Sequence, residues 1–394
     1  MNILLHDSAQ RNHLLPLVFT RPVAHLRIGI LTIAEKYTMY FNTTCSYITA
    51  DYLSKKYPST YSNDNLIINA CVCPTPELVE QIKALTINTV LIDEITTTWI
   101  AVRVNKSDAV SFAVDCNFSK FKIQNSKSSF TLLSRPNDIF TYNDVELRND
   151  FARLTKGRVS EPISTTNTCI APQNIFIEKG AKVECSILNA STGPIYISAN
   201  AEVMEGCIVR GALALCENAT LKLGAKIYGA TTIGPHSKVG GEVNNSVIIG
   251  YSNKGHDGFL GNAVIGEWCN LGADTNNSNL KNNYANVKLY NYATLANEDT
   301  ALQFCGLIMA DHSKCGINTM FNTGTVVGVC ANVFGAGFPA THIPSYTWGG
   351  VTDSEVFKLD KAIELAQRVY ARRNMELPLV DVDILTHIFN HTAH

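Results

Sequence analysis

No apolar run in this 394-residue chain approaches the roughly 18 residues that a bilayer-spanning helix needs. Charge of either sign is also scarce in excess: 32 Lys plus Arg stand against 34 Asp plus Glu, a formal charge of −2. With no basic cluster, nucleic acid is not an expected partner, and neither is a membrane. The opening MNILLHDSAQRNH lacks a charged segment followed by an apolar one, so a cytoplasmic location is expected. Cysteine is present, at 12 residues, but without a zinc-finger pattern. Cys71 and Cys73 form a C-x-C with no second pair at ligand spacing. The others are scattered and read as small buried hydrophobes in a reducing compartment. A glycine-rich phosphate-cradling loop is missing from the first third of the chain.

What is there is a register of six. Ile197, Val203, Val209, Leu215, Leu221, Ile227, Ile233 and Val239 recur at that interval. Small residues follow most of them four positions later, as in Ala201, Cys207, Ala219 and Ala225. Neither the helical period of 3.6 nor the strand period of 2 generates six, so each unit must be a short strand plus a corner, stacked as a solenoid. The register returns at Phe259, Ile265 and Leu271 and again at Met309, Cys315, Phe321, Val327 and Val333. Two interruptions, Leu188–Ile195 and Asn276–Leu302, are expected at corners, where the longer one projects as a loop.

Residues 1–165 read as an α/β layer with a mostly parallel sheet. Strands are expected at Met1–Leu5, Asn65–Ala70, Thr89–Ile92 and Trp99–Val104, and helices at Leu26–Met39, Glu77–Leu85 and Asp144–Leu154. The β-helix is expected over 170–345, and a helical cap over 346–394. There Val356, Leu359, Ile363, Ala366 and Val369 share a helical stripe that would cover the last coil.

The densest polar stretch runs from Asn253 to Tyr284 and carries His256, Asp257, Asn270, Asp274, Asn279, Lys281 and Asn282 between core positions. Within it, Gly255-His256, Phe259-Leu260-Gly261, Ala263, Ile265-Gly266, Asn270-Leu271-Gly272-Ala273 and Thr275 form a pattern. That pattern resembles the acetyltransferase region of the bifunctional enzymes that make UDP-N-acetylglucosamine, whose repeats form a left-handed parallel β-helix. The resemblance implies that His256 is the general base, the Ala273 backbone the oxyanion donor, and Asn270, Asn279 and Phe259 contacts to the sugar. It implies an acetyl-CoA groove at Ile317 and Gly335, and a homotrimer with sites between neighbours. Leu280 stands where the family has an aromatic hydroxyl, and the family's phosphate-holding lysine and arginine have no counterpart. Lys254 and Lys281 are the candidates to supply that charge.

Leu15–Tyr37, LPLVFTRPVAHLRIGILTIAEKY, resembles the opening of a variant group from Bacteroidetes-type bacteria, in which a shortened nucleotidyltransferase-like domain precedes the same β-helix. On that resemblance Arg21, Arg27 and Lys36 are candidates to contact nucleotide phosphates; as plain residues they read equally well as helix-surface charges. Asp93 and Asn143 are candidate Mg2+ residues by chain order. The function implied is N-acetylation of glucosamine-1-phosphate and uridylyl transfer from UTP onto the sugar 1-phosphate. Two alternatives stay open: a nucleotidyltransferase whose β-helix only trimerises it, and a non-enzymatic scaffold.

Overall fold

The computed structural model describes residues 1–351 and 353–392. Two compact units emerge, one of Met1–Leu14, Thr20–Leu26 and Leu31–Arg135, the other of Leu15–Phe19, Arg27–Ile30 and the described residues from Pro136 onward.

The first unit is a six-stranded sheet in the order Cys45–Ile48, Asn2–His6, Asn65–Asn69, Trp99–Val104, Thr89–Asp93, Lys122–Ser126. Apolar strands at its centre are buried along their whole length, as strands covered on both faces must be. The sheet is mixed rather than mostly parallel. Trp99–Val104 runs antiparallel to both its neighbours, because the turn after Asp93 sends the chain straight back beside the strand it left. The expected helix over Leu26–Met39 begins only at Ile33. Thr32 caps it, accepting from the Glu35 N–H while the Glu35 carboxylate accepts from the Thr32 N–H. The residues before it bend instead of continuing the helix; Gly29 has φ +74°, and a Cβ there would lie 2.6 Å from Asp150 Oδ2. Cys45–Ile48, the helix Lys106–Asp115 and Lys122–Ser126 are further elements that periodicity did not reveal.

The second unit is dominated by three stacked parallel sheets of two- to four-residue strands, consistent with a left-handed β-helix. Every register position from Ile197 to Val239 is buried in one continuous core, and so are the small positions Ala201, Cys207, Ala219 and Ala225. Strict spacing then slips. Ile227 pairs with Val243 rather than with a residue eighteen positions on, and Leu260, not Phe259, faces the core opposite Val243. Asn276-Asn277 stay in the coil, paired with Met320-Phe321. The excursion is the hairpin Lys288–Asn291/Ala296–Asp299, and it folds back on the coils, with the Tyr290 ring stacked 3.5 Å from that of His342.

Helix Asn143–Thr155 belongs to this unit. Asn143 Oδ1 accepts from the Gly29 N–H (2.8 Å) and the Thr232 hydroxyl (3.1 Å), while Nδ2 donates to the Ala230 carbonyl (2.9 Å). Asp150 accepts from the Ile30 N–H. At the C-terminal end Ser354–Val356 is a strand and the helix is Leu359–Ala371, burying Ala362, Ala366 and Tyr370, so that of the stripe expected from Val356 Ala366 alone is buried. Tyr370 stacks on Trp268 at 3.9 Å, so this helix lies along the flank of the solenoid. A second helix, Leu379–Thr392, reaches the last coil: the Tyr346 hydroxyl donates to the Leu385 carbonyl and Phe389 packs on the ring.

Candidate active site

One corner of the β-helix carries His256, Ala273 and Ile317 in successive coils. The Asp274 N–H donates to the Asp257 carbonyl (3.0 Å) and the Asn318 N–H to the Ala273 carbonyl (2.8 Å), which stacks the three turns in register. Gly335 follows in the next coil, after Val333 pairs with Cys315. His256 is exposed, and its ring has no hydrogen-bond partner among the described residues. Close stacking allows the turn: Gly258 has φ +112° and a Cβ there would lie 2.2 Å from the Thr275 carbonyl oxygen. The Ala273 N–H has no acceptor among the described residues, the condition an oxyanion donor must meet before substrate arrives. Ile317 is 72% exposed, leaving an apolar edge beside that N–H.

The remaining residues of this region are divided between two faces. Asn270 lies exposed on the outer face of the sheet that ends at this corner, accepting from Asn253 Nδ2 (3.0 Å). Phe259 and Asn279 meet over Gly261, where an added Cβ would lie 2.5 Å from the Phe259 ring and 2.8 Å from Asn279 Nδ2. Asn279 Nδ2 donates to Asn262. Lys281 is half-buried and donates to the Asn286 carbonyl. Lys254 does not point outward. It takes an inner position opposite Val239, is 3% exposed, and its ammonium donates to the His256 carbonyl at 2.7 Å. Burial pushes that amine down to about 8.

In the first unit the polar groups gather where the parallel strand Asn2–His6 ends, the place where open α/β sheets bind ligands. Asp7 Oδ1 accepts from the Val23 N–H (2.8 Å), and Oδ2 from the Thr49 hydroxyl (2.5 Å) with Arg11 at 3.3 Å. Its carboxyl is raised to about 6 because burial outweighs those contacts. His6 accepts from the Ser8 N–H and packs edge-on against Trp99 and Phe112, and burial lowers it to about 4. Arg21 and Lys36 are buried in this unit, Arg27 in the other, and none of the three is a free cation. Arg27 donates to the Ile30 and Ile249 carbonyls.

Asp93 Oδ2 accepts from both the N–H and the hydroxyl of Thr96 at 2.7 Å, heading a turn. Asn143 has both its carbonyl lone pairs engaged, as described above, which does not fit a metal ligand. Among the described residues no group of three or more His, Cys, Asp or Glu is arranged to hold an ion.

Comparison with known proteins bears on each half differently. Residues 3–159 match the family described as sugar nucleotidyl transferase. A curated relative, the bifunctional protein GlmU of Alkaliphilus metalliredigens (strain QYMF), is 30% identical over 161 residues. The aligned part is 34% of this chain and 34% of that protein, so the chain spans about a third of the length of the relative it matches. Two solved structures are also similar. The Arabidopsis UDP-N-acetylglucosamine acyltransferase is 14% identical, with 52% of this chain and 76% of that one covered, at a TM-score of 0.24. The Campylobacter jejuni UDP-N-acetylglucosamine acyltransferase is 15% identical, with 59% and 97% covered, at 0.19.

His6 and Asp7 were not singled out from the sequence. Their signal was the pair of polar residues closing an apolar strand just ahead of the FTRPV segment, which Asp7 anchors through Val23. Asn253 was passed over because its value lies in stacking against Asn270, seventeen residues away.

Proposed function

We propose that the chain acts in sugar-nucleotide biosynthesis, with the β-helix acetylating glucosamine-1-phosphate and the N-terminal half joining the sugar 1-phosphate to UTP. The observation that carries the acetyl-transfer half is the corner row: an imidazole at His256 one coil away from an N–H at Ala273, both without a hydrogen-bond partner among the described residues. On this reading the substrate amine attacks the thioester carbonyl of acetyl-CoA while His256 takes its proton. The Ala273 N–H holds the oxyanion of the tetrahedral intermediate, whose collapse forms the amide and expels the CoA thiolate, protonated by the imidazolium. Asn270 and Asn279 orient the sugar, and the pantetheine arm lies along Ile317 and Gly335. The nucleotidyl half is supported by the family match over residues 3–159.

A second reading, a nucleotidyltransferase with the β-helix as trimerisation scaffold, is favoured by one observation: Lys254 turns inward, away from any bound phosphate. Both are tested by assaying purified protein for pyrophosphate release with a panel of sugar 1-phosphates and nucleoside triphosphates. A parallel assay follows CoA release from acetyl-CoA and glucosamine-1-phosphate. Turnover in both supports the dual reading, pyrophosphate release alone supports the scaffold reading, and turnover in neither contradicts both.

A further inference from the structure

Helix Leu359–Ala371 and the residues just after it close a cavity of about 420 Å³ against the outer face of the β-helix sheet that ends at the His256 corner. Five cationic side chains line it: Lys238 and Lys314 from the sheet, Arg368, Arg372 and Arg373 from the helix side. Among the described residues their only carboxylate partner is Glu364, which pairs with Arg368. Lys238 and Arg372 have no partner among the described residues. Lys314 donates only to the His312 carbonyl, and burial makes its ammonium harder to keep charged.

A concave site with this surplus of positive charge is complete only when an anion enters it. Asn253 and Asn270, bonded to one another across neighbouring strands, offer amide donors on its floor. Trp268 presents an aromatic wall, and Arg373 is fixed there by donating to the His236 and Tyr251 carbonyls. Guanidinium forks match carboxylate and phosphate oxygens alike, so it is the number of cations here that favours a phosphate: several uncompensated positive charges are neutralised better by a dianion than by a monoanion.

We propose that this cavity binds the phosphate monoester group of a small-molecule ligand, with Lys238, Lys314 and Arg372 as its charge partners. Two ligands of the proposed reaction carry such a group, the sugar 1-phosphate and the 3′-phosphate of CoA. On this reading the cavity would supply, from residues of several coils and from the end of helix Leu359–Ala371, the phosphate-holding charge whose family counterparts this chain lacks. The inference of a phosphate site does not require acetyl transfer, although the choice between these two ligands rests on that reading.

The test is calorimetric titration of the full chain at low salt with two matched pairs: glucosamine-1-phosphate against glucosamine, and CoA against dephospho-CoA. The wild type is expected to bind the phosphorylated member of one pair at least tenfold more tightly. The double variant Lys238→Gln/Arg372→Gln, altered at two exposed side chains, should lose roughly tenfold or more of that margin with an unchanged melting temperature. The pair showing the margin identifies the source of the phosphate. No margin in either pair, or a margin that survives the double variant, overturns the proposal. Acetyl transfer by a protein whose cavity shows no margin would overturn this inference alone and leave the proposed reaction standing.

Discussion

Replacing Lys254 by methionine should stabilise the protein while impairing the corner it supports. Lys254 occupies an inner position in the column of Val239 and Leu271, 3% exposed, and among the described residues only the His256 carbonyl accepts from its ammonium. Burial lowers its pKa from 10.5 to about 8, partly offset by attraction to Asp257, Cys315 and Asp274. At 1.36 kcal/mol per pKa unit, that gap corresponds to a penalty of about 3 kcal/mol on the folded state wherever the amine is charged in both states. The sign follows from proton counting. Below about pH 8 folded and unfolded chains both hold the proton and the penalty is complete. Between about 8 and 10.5 the unfolded chain holds more protons than the folded one, so this group's contribution to stability rises with pH; above 10.5 the penalty is gone. Methionine fills similar volume without charge. Guanidinium unfolding at pH 7 should therefore find Lys254→Met more stable by about 3 kcal/mol, with the difference from wild type shrinking as pH rises toward 10. Taking the difference cancels the other groups that titrate in this range. A variant no more stable than wild type at pH 7, or a difference that does not change with pH, would refute the reasoning.

Ile227→Asp places an unpaired charge at a core position that is 1% exposed, and should destabilise by roughly 3–5 kcal/mol in denaturant melts; an unchanged midpoint would mean that the side chain does not face inward. Asn143→Ala removes the partner of the Gly29 N–H and the Ala230 carbonyl, both in a buried setting, and should lower stability by roughly 2–3 kcal/mol by the same measurement, with no loss expected if those bonds are absent. The homotrimer that the family resemblance implies should give three chain masses by light scattering at micromolar concentration, where a stable monomer would contradict it.

The core of the β-helix was legible because its coils from Ile197 to Val239 keep one length, so the side-chain period survives in the chain as a plain interval. It blurs after Val239 because the coil shortens at the Gly240-Gly241 corner, and a shift of one residue puts Leu260 inside in place of Phe259. His256, Ala273 and Ile317 were named from the family resemblance and not from the register; that they form one row follows from each lying two residues past a position of the same sheet. Lys254 was named only as a candidate to hold phosphate, and its inner position was not legible because a charged residue there contradicts the apolar pattern that locates such positions. Helix Leu359–Ala371 shows another limit: what it buries is decided by Tyr370 finding Trp268 more than a hundred residues earlier, and no local period carries that. Asn143 is the same case, since Gly29, Ala230 and Thr232 are distant in sequence.

The measurement that bears most directly on the proposed function is a side-by-side assay of wild type and His256→Ala for CoA release and pyrophosphate release. Loss of a general base typically lowers rate by ~10²–10⁴-fold. The variant should lose acetyl transfer by that order and keep pyrophosphate release near the wild-type rate. Acetyl transfer at the wild-type rate in His256→Ala would contradict the assignment of the corner as the catalytic site.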